Sequence, residues 1–171
     1  MIRVQSHVVY LFGTNSFNAV PEAIEEHIRQ IIQQTNGNVR FIVGDGLGLE
    51  SKFHNTLSSL GAAGKTTVYA MDKARSNLYD FEVKTFETLF NEEKSEAYIT
   101  YNGEILDTFD KVNKPEELLI NPAYYRFRDK QMIRDCTFAI CYWDGESKNT
   151  SRNIDTLSAL DKYCYVYKAV K

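Results

Sequence analysis

The chain has 171 residues, 43% apolar and 25% charged, which suits one soluble domain or one domain with a small insertion. Only 9 Gly and 3 Pro exclude collagen-like and low-complexity architectures, and 13% aromatic residues supply material for a core. The 20 basic and 23 acidic residues leave a net charge of −3, so there is no electrostatic footprint for duplex nucleic acid. That balance still permits a local basic pocket for a small anion. Residues 8–12, Val-Val-Tyr-Leu-Phe, form an apolar run ended by Gly13. A parallel strand covered on both faces has this pattern. In the helix predicted next, Asn18 is the expected N-cap, Pro21 fits the first turn, and Glu22, Glu25 and Glu26 favour the positive end. Its apolar stripe is Ile24, Ile28, Ile31 and Ile32, and Asn36-Gly37 stops it. Residues 39–43 predict a second strand, ended by Gly44-Asp45-Gly46. Leu49, Phe53, Leu57 and Leu60 stripe a second helix, closed by Gly61, and residues 66–71 predict a third strand. This βαβαβ succession is the mononucleotide-binding half of a doubly wound sheet.

The pattern then breaks. Residues 81–86 alternate only partly, and Asn102-Gly103 between two apolar runs signals a hairpin. Lys114-Pro115 opens a short helical turn. The inserted hairpin either stands apart or extends an edge of the main sheet, and it could serve as lid, dimer contact or decoration. Asn121-Pro122 opens a helix ending near Asp135. Residues 137–143 form a fourth apolar strand ended by Asp144-Gly145. Ile154, Leu157 and Leu160 mark a final helix, and residues 163–167 the last strand. The expected fold is a single α/β domain over residues 1–171. It is a Rossmann-like, doubly wound, mostly parallel sheet with an inserted β-hairpin region at about 76–121.

No run approaches the ~18 apolar residues needed to span a bilayer, so no membrane partner is expected. The first apolar run lacks a small-residue cleavage site, which argues against a signal peptide. Cys136, Cys141 and Cys164 have no metal-site spacing and sit in apolar stretches. They read as reduced, core-filling thiols in a cytoplasmic protein.

Ligands of doubly wound sheets bind beyond the strand C-termini, where strand order reverses. Three loops occupy that edge: Gly13-Thr14-Asn15-Ser16, the Gly44-Asp45-Gly46-Leu47-Gly48 turn, and residues 144–151. Glycine permits close backbone approach, and the helix N-terminus that follows suits a phosphate. Purely structural turns are the plain alternative. The second loop is not the dinucleotide fingerprint, because its third Gly comes one residue early, and no Gly-Lys-Ser/Thr makes it a Walker A loop. Arg126 and Arg128 lie two apart on a helix and so point in different directions. Arg128 is the one expected to face an anion. Tyr124 and Tyr125 fit core packing, with stacking on a nucleobase as the alternative. His7, His27 and His54 pair with no nucleophile, and no ligand spacing suggests a metal or cofactor.

Three segments together resemble the SLOG superfamily: residues 41–51 (FIVGDGLGLES), 125–135 (YRFRDKQMIRD) and 138–155 (FAICYWDGESKNTSRNID). That superfamily of Rossmann-like domains includes DNA-processing protein A, the LONELY GUY phosphoribohydrolases, and small bacterial and phage proteins. The resemblance covers roughly residues 6–75 and 122–168, and its third segment is the most specific. It implies a pocket for a nucleotide-derived ligand. Gly44, Asp45, Gly46 and Gly48 would contact phosphate or ribose, Arg128 would pair with phosphate, and Gly145, Ser147 and Thr150 would bind a second phosphate or sugar edge. Gly13, Thr14, Asn15 and Asp144 complete the expected ligand-binding set from the facing loops. Self-association is a further expectation of the resemblance.

The departures bear on chemistry. The phosphoribohydrolases carry a catalytic Glu three residues after the loop Thr, where this chain has Asn153, and Asn149 replaces the Gly before that Thr. The usual acid after the second-strand glycines corresponds to Glu50 or Ser51. Asp144 and Glu146 are the substitute acid candidates for catalysis. Three readings follow. The first is a sensor or sequestering protein for an ADP-ribose-like, NAD-like or nucleoside phosphate ligand. The second is an N-glycosidase, deoxyribosyltransferase-like or phosphoribohydrolase enzyme. The third is an interaction protein that meets its partner through residues 76–121.

Overall fold

The computed structural model describes residues 6–169. Residues 1–5, on which the reading of the N-terminus partly rests, lie outside them. Eight strands form one sheet: β1 (His7–Gly13), β2 (Val39–Gly44), β3 (Thr66–Met71), β4 (Glu82–Asn91), β5 (Glu96–Tyr101), β6 (Glu104–Phe109), β7 (Phe138–Trp143) and β8 (Cys164–Lys168). Their order is β6-β5-β4-β3-β2-β1-β7-β8. Strands β4 through β8, taken across the sheet by way of β1, are all parallel, whereas β5 and β6 add antiparallel at one edge. Helices α1 (Glu22–Gln34), α2 (Leu49–Ser59), α3 (Pro122–Asp135) and α4 (Lys148–Ala159) flank it. The fold is therefore α/β, with a mostly parallel, doubly wound sheet.

Strand alternation divides the core. Val9 and Leu11 of β1 pack with Ile24, Ile28, Phe53 and Leu57 of α1 and α2. Tyr10 and Phe12, one residue out of phase, pack with Phe127, Met132 and Leu157 of α3 and α4. After β6 the chain returns past β1 to lay β7 on its far side. Strand order thus reverses at β1 and β7, and the loops leaving them diverge to opposite faces.

Local chemistry sets the ends. Asn121 accepts from Ala123 N at 3.0 Å, and Pro122 occupies the first turn of α3. Helix α1 differs from expectation. Its cap position is Pro21, not Asn18, and no side chain caps it; the Pro21 carbonyl accepts from Ile24 and Glu25 N–H groups. Asn102 and Gly103, both at positive φ (50° and 82°), turn the β5–β6 hairpin, which extends the main sheet. The first half of β4 also belongs to the parallel array, pairing Thr67–Met71 with residues 82–86. Residues 72–81 make the β3–β4 crossover without a helix, and Leu78 and Phe81 pack on the α1–α2 face. No helix among the described residues is long and apolar enough to cross a membrane.

Candidate functional site

A cleft of about 360 Å³ opens at the C-terminal edge of the sheet, beside the β1–β7 reversal. Gly13 and Asn15 contribute the β1 loop, Gly46 to Glu50 the β2–α2 loop, and Arg75 the β3–β4 crossover. Tyr125, Arg128 and Asp129 come from α3, Asn149 and Asn153 from α4, and Tyr10 and Phe12 from β1. Residues far apart in the chain thereby meet around one space.

Its charged centre is Arg128, whose side chain is only 6% exposed. Nη1 donates to Asp45 Oδ1 at 2.5 Å. Nη2 donates to Glu50 Oε1 at 3.1 Å and to Asp129 Oδ1 at 3.2 Å. Three carboxylates therefore share one buried guanidinium, and a buried charge requires such compensation. Asp45 also accepts from Arg75, through its backbone N at 2.9 Å and Nη2 at 3.1 Å. The Arg75 guanidinium lies 4.6 Å from the Tyr125 ring centroid, a cation–π contact that ties the crossover to α3. Asn153 Nδ2 reaches Asp129 Oδ2 at 3.4 Å. The residue that stands where the resemblance places a catalytic Glu is thus an amide donor to a neighbouring carboxylate.

The two acids of the β2–α2 segment titrate in opposite directions. Burial raises Glu50 above its ordinary value; Arg128 opposes this, while Asp129 and Asp45 add to it. Burial also acts to raise Asp45, but Arg128 and the Arg75 hydrogen bonds outweigh it and hold the carboxyl below its ordinary value. For Arg128 burial opposes the charge, and Glu50, Asp129 and Asp45 overcome it, so the guanidinium stays protonated. Burial, reinforced by Asp129 and Glu50, pushes the Tyr10 phenol well up. Both of its neighbours disfavour a phenolate.

The glycines of this loop make room for protein atoms. A Cβ on Gly44 would stand 1.8 Å from Glu50 Oε2 and 2.7 Å from Arg128 Cζ. One on Gly46 would stand 2.4 Å from Glu50 Oε1, which accepts from the Gly46 N–H at 3.1 Å. His54 Nε2 donates to the Gly44 carbonyl at 2.8 Å, pinning the same turn from below. Gly48 passes against Asn15, with 2.3 Å between its ideal Cβ and the Asn15 carbonyl oxygen.

The loop after β7 is organised differently. Asp144 Oδ1 accepts from the Glu146 and Ser147 N–H groups, each at 2.8 Å. Ser147 caps α4, its Oγ also accepting from the buried Thr150 Oγ1 at 3.1 Å. Thr14 stitches the β1 and β7 loops together. Its N–H donates to the Tyr142 carbonyl at 2.8 Å, and its Oγ1 accepts from Asp144 N at 3.1 Å. Asp144, Gly145 and Glu146 line a separate hollow with Lys168 and Ala169.

Of the residues singled out from sequence, Gly13, Asn15, Gly46, Gly48 and Arg128 line the main cleft. Asp45 and Gly44 lie directly beneath, in contact with Arg128. Thr14, Ser147 and Thr150 hold loops, while Asp144, Gly145 and Glu146 face elsewhere. Arg126 is half-buried and outside the cleft lining. Asp129, Arg75 and Asn153 bring functional groups to which motif reading gave no role, and Glu50, one of the two positions matched to the usual acid after the second-strand glycines, lines the cleft with them. Adjacency to Arg128 was a signal for Asp129; Arg75, in an irregular crossover, has none. No group of three or more His, Cys, Asp or Glu among the described residues is placed to hold a metal ion. Searches against protein-family models, curated proteins and solved structures return no match for this chain.

Proposed function

We propose that the cleft binds a nucleotide-derived small molecule, and that the protein acts as a sensor or sequestering protein for it. The observation that carries this reading is the meeting of the β1 loop, the β2–α2 loop and α4 around one polar cleft at the strand-order reversal. Open α/β sheets bind their ligands at this position. Tyr125 and the exposed Leu47 line the cleft with apolar surface suited to a base. The test is thermal unfolding of the whole chain with NAD, ADP-ribose, nucleoside phosphates and nucleosides. A ligand at a hundredfold its Kd adds about 2.7 kcal/mol to stability. Absence of any shift across the panel at millimolar concentration rejects the reading.

A second reading, N-glycoside cleavage, is favoured by the two carboxyls bound to the same Arg128 nitrogen at the cleft. Glu50, whose carboxyl burial holds above its ordinary value, would act as the acid that gives a proton to the departing base as the C–N bond breaks. The Asp129 carboxylate would stabilise the oxocarbenium-like sugar and take a proton from the attacking water, which forms the new C–O bond. Asp144 and Glu146 line the other hollow and are not assigned to this step. Free base released from nucleosides, and lost in Glu50→Gln, is the expected outcome. Release that survives Glu50→Gln and Asp129→Asn would reject the assignment.

A further inference from the structure

We infer that the cleft floor is a hydroxyl-reading subsite: it takes the vicinal hydroxyls of a ribose, and any phosphate of the same ligand stays outside it. This rests on the nucleotide-derived ligand reading and names the part of that ligand the floor accepts.

The first ground is charge. Asp45 on the β2–α2 loop, Glu50 on α2 and Asp129 on α3 face two cations, Arg128 on α3 and Arg75 on the crossover. Tyr10 of β1 completes the floor. Carboxylates outnumber guanidiniums, and Arg128 is already shared among all three acids. A phosphate placed there would meet like charge where water screens little. Arg128 is thus committed to holding the acids.

The second ground is an unpaired donor. Arg128 Nε is buried and has no hydrogen-bond partner, although its side chain lines the cleft. On the next residue, Asp129, Oδ1 accepts from Arg128 Nη2, while Oδ2 has only the long 3.4 Å contact from Asn153. A group serving both must accept from an N–H and donate to a carboxylate. Phosphate oxygens at neutral pH chiefly accept, and an ammonium only donates. A hydroxyl does both. Two adjacent hydroxyls would engage Asp129 and Glu50 together.

The floor is also shaped by the chain. Glu50 fills space that any side chain at 44 or 46 would occupy, so its carboxyl is held where the cleft ends.

Titration calorimetry and thermal shift on the full chain test this with ribonucleosides, their 2′,3′-dideoxy counterparts, nucleoside monophosphates and inorganic phosphate. The expected result is binding of ribonucleosides, about tenfold or more weaker for the dideoxy compounds, with inorganic phosphate failing to compete. Asp129→Asn should narrow the ribo/dideoxy ratio. Equal affinity for ribo and dideoxy ligands would overturn the inference. So would binding that follows the phosphate and is displaced by inorganic phosphate; the nucleotide reading would survive either result. No binding by any compound would instead remove the nucleotide reading, and this inference with it. The ligand series on the unaltered chain decides the matter even if Asp129→Asn fails to fold.

Discussion

The β2–α2 and β7–α4 loops look alike as sequence: each follows an apolar strand, and each combines glycine with short polar residues. In the folded chain they do opposite things. The first yields its space to a buried charge network, so Gly44 and Gly46 lie against Glu50 and Arg128 at the cleft. The second closes on itself, with Asp144 bonding its own N–H groups and Ser147 capping α4. A glycine turn after a strand marks a place where something comes close. What comes close can be the protein's own side chain.

The comparison can be broken most strongly at Arg128. Arg128→Met leaves three carboxylates near one another without their shared cation, and should cost about 3–5 kcal/mol, read by denaturant unfolding. A loss below about 1 kcal/mol would mean the network is not a stability element. Next is Gly44→Ala, which drives a methyl into Glu50 and Arg128 and should cost about 1–3 kcal/mol. It should also lower ligand affinity, because Glu50 cannot keep its place.

On the other loop, Gly145→Ala meets a positive φ of 85° and the flexible end of Lys168. Its expected cost is about 1–2 kcal/mol, with the ligand response unchanged. An altered ligand response there would erase the distinction between the loops.

The smallest effect on stability is expected from Glu50→Gln. Glu50 titrates above its ordinary value of 4.5 in the folded chain, so its contribution is fully present below 4.5 and lost as pH rises through the folded value. The amide removes that loss, giving equal or higher stability at neutral pH and a flatter profile on the alkaline side of 4.5. Asp45 has the reverse sign: its contribution is present above its ordinary value of 3.8 and lost as pH falls through the depressed one. The acid limb should therefore persist in Glu50→Gln. A variant whose profile matches the parent's would contradict the half-buried placement of Glu50 among these charges.

Sequence periodicity sufficed for the central parallel strands β1, β2, β3 and β7, because strands buried on both faces must be continuously apolar, as residues 8–12 and 138–141 are. It also sufficed for the Asn102-Gly103 turn and the Asn121-Pro122 helix start, where one or two residues carry the conformation. The β3–β4 crossover was not legible, since Leu78 and Phe81 anchor it without any period. Nor was the β4 strand's dual role, whose first half pairs in parallel and second half antiparallel. At the cleft, Arg128 and the glycine loops stood out by residue type. Their pairing did not, because Arg128 meets Asp45 across 83 positions and Arg75 meets it across 30. Burial decided the rest: an Arg on a solvated helix face and an Arg held among three carboxylates have the same letter.

A crystal structure of the protein with a stabilising ribonucleoside tests the account most directly. The sugar hydroxyls should lie against Asp129 and Arg128 Nε, with the base toward Tyr125. Density for the ligand in the Asp144–Lys168 hollow, or a main cleft that stays empty while the nucleoside binds elsewhere, would contradict it.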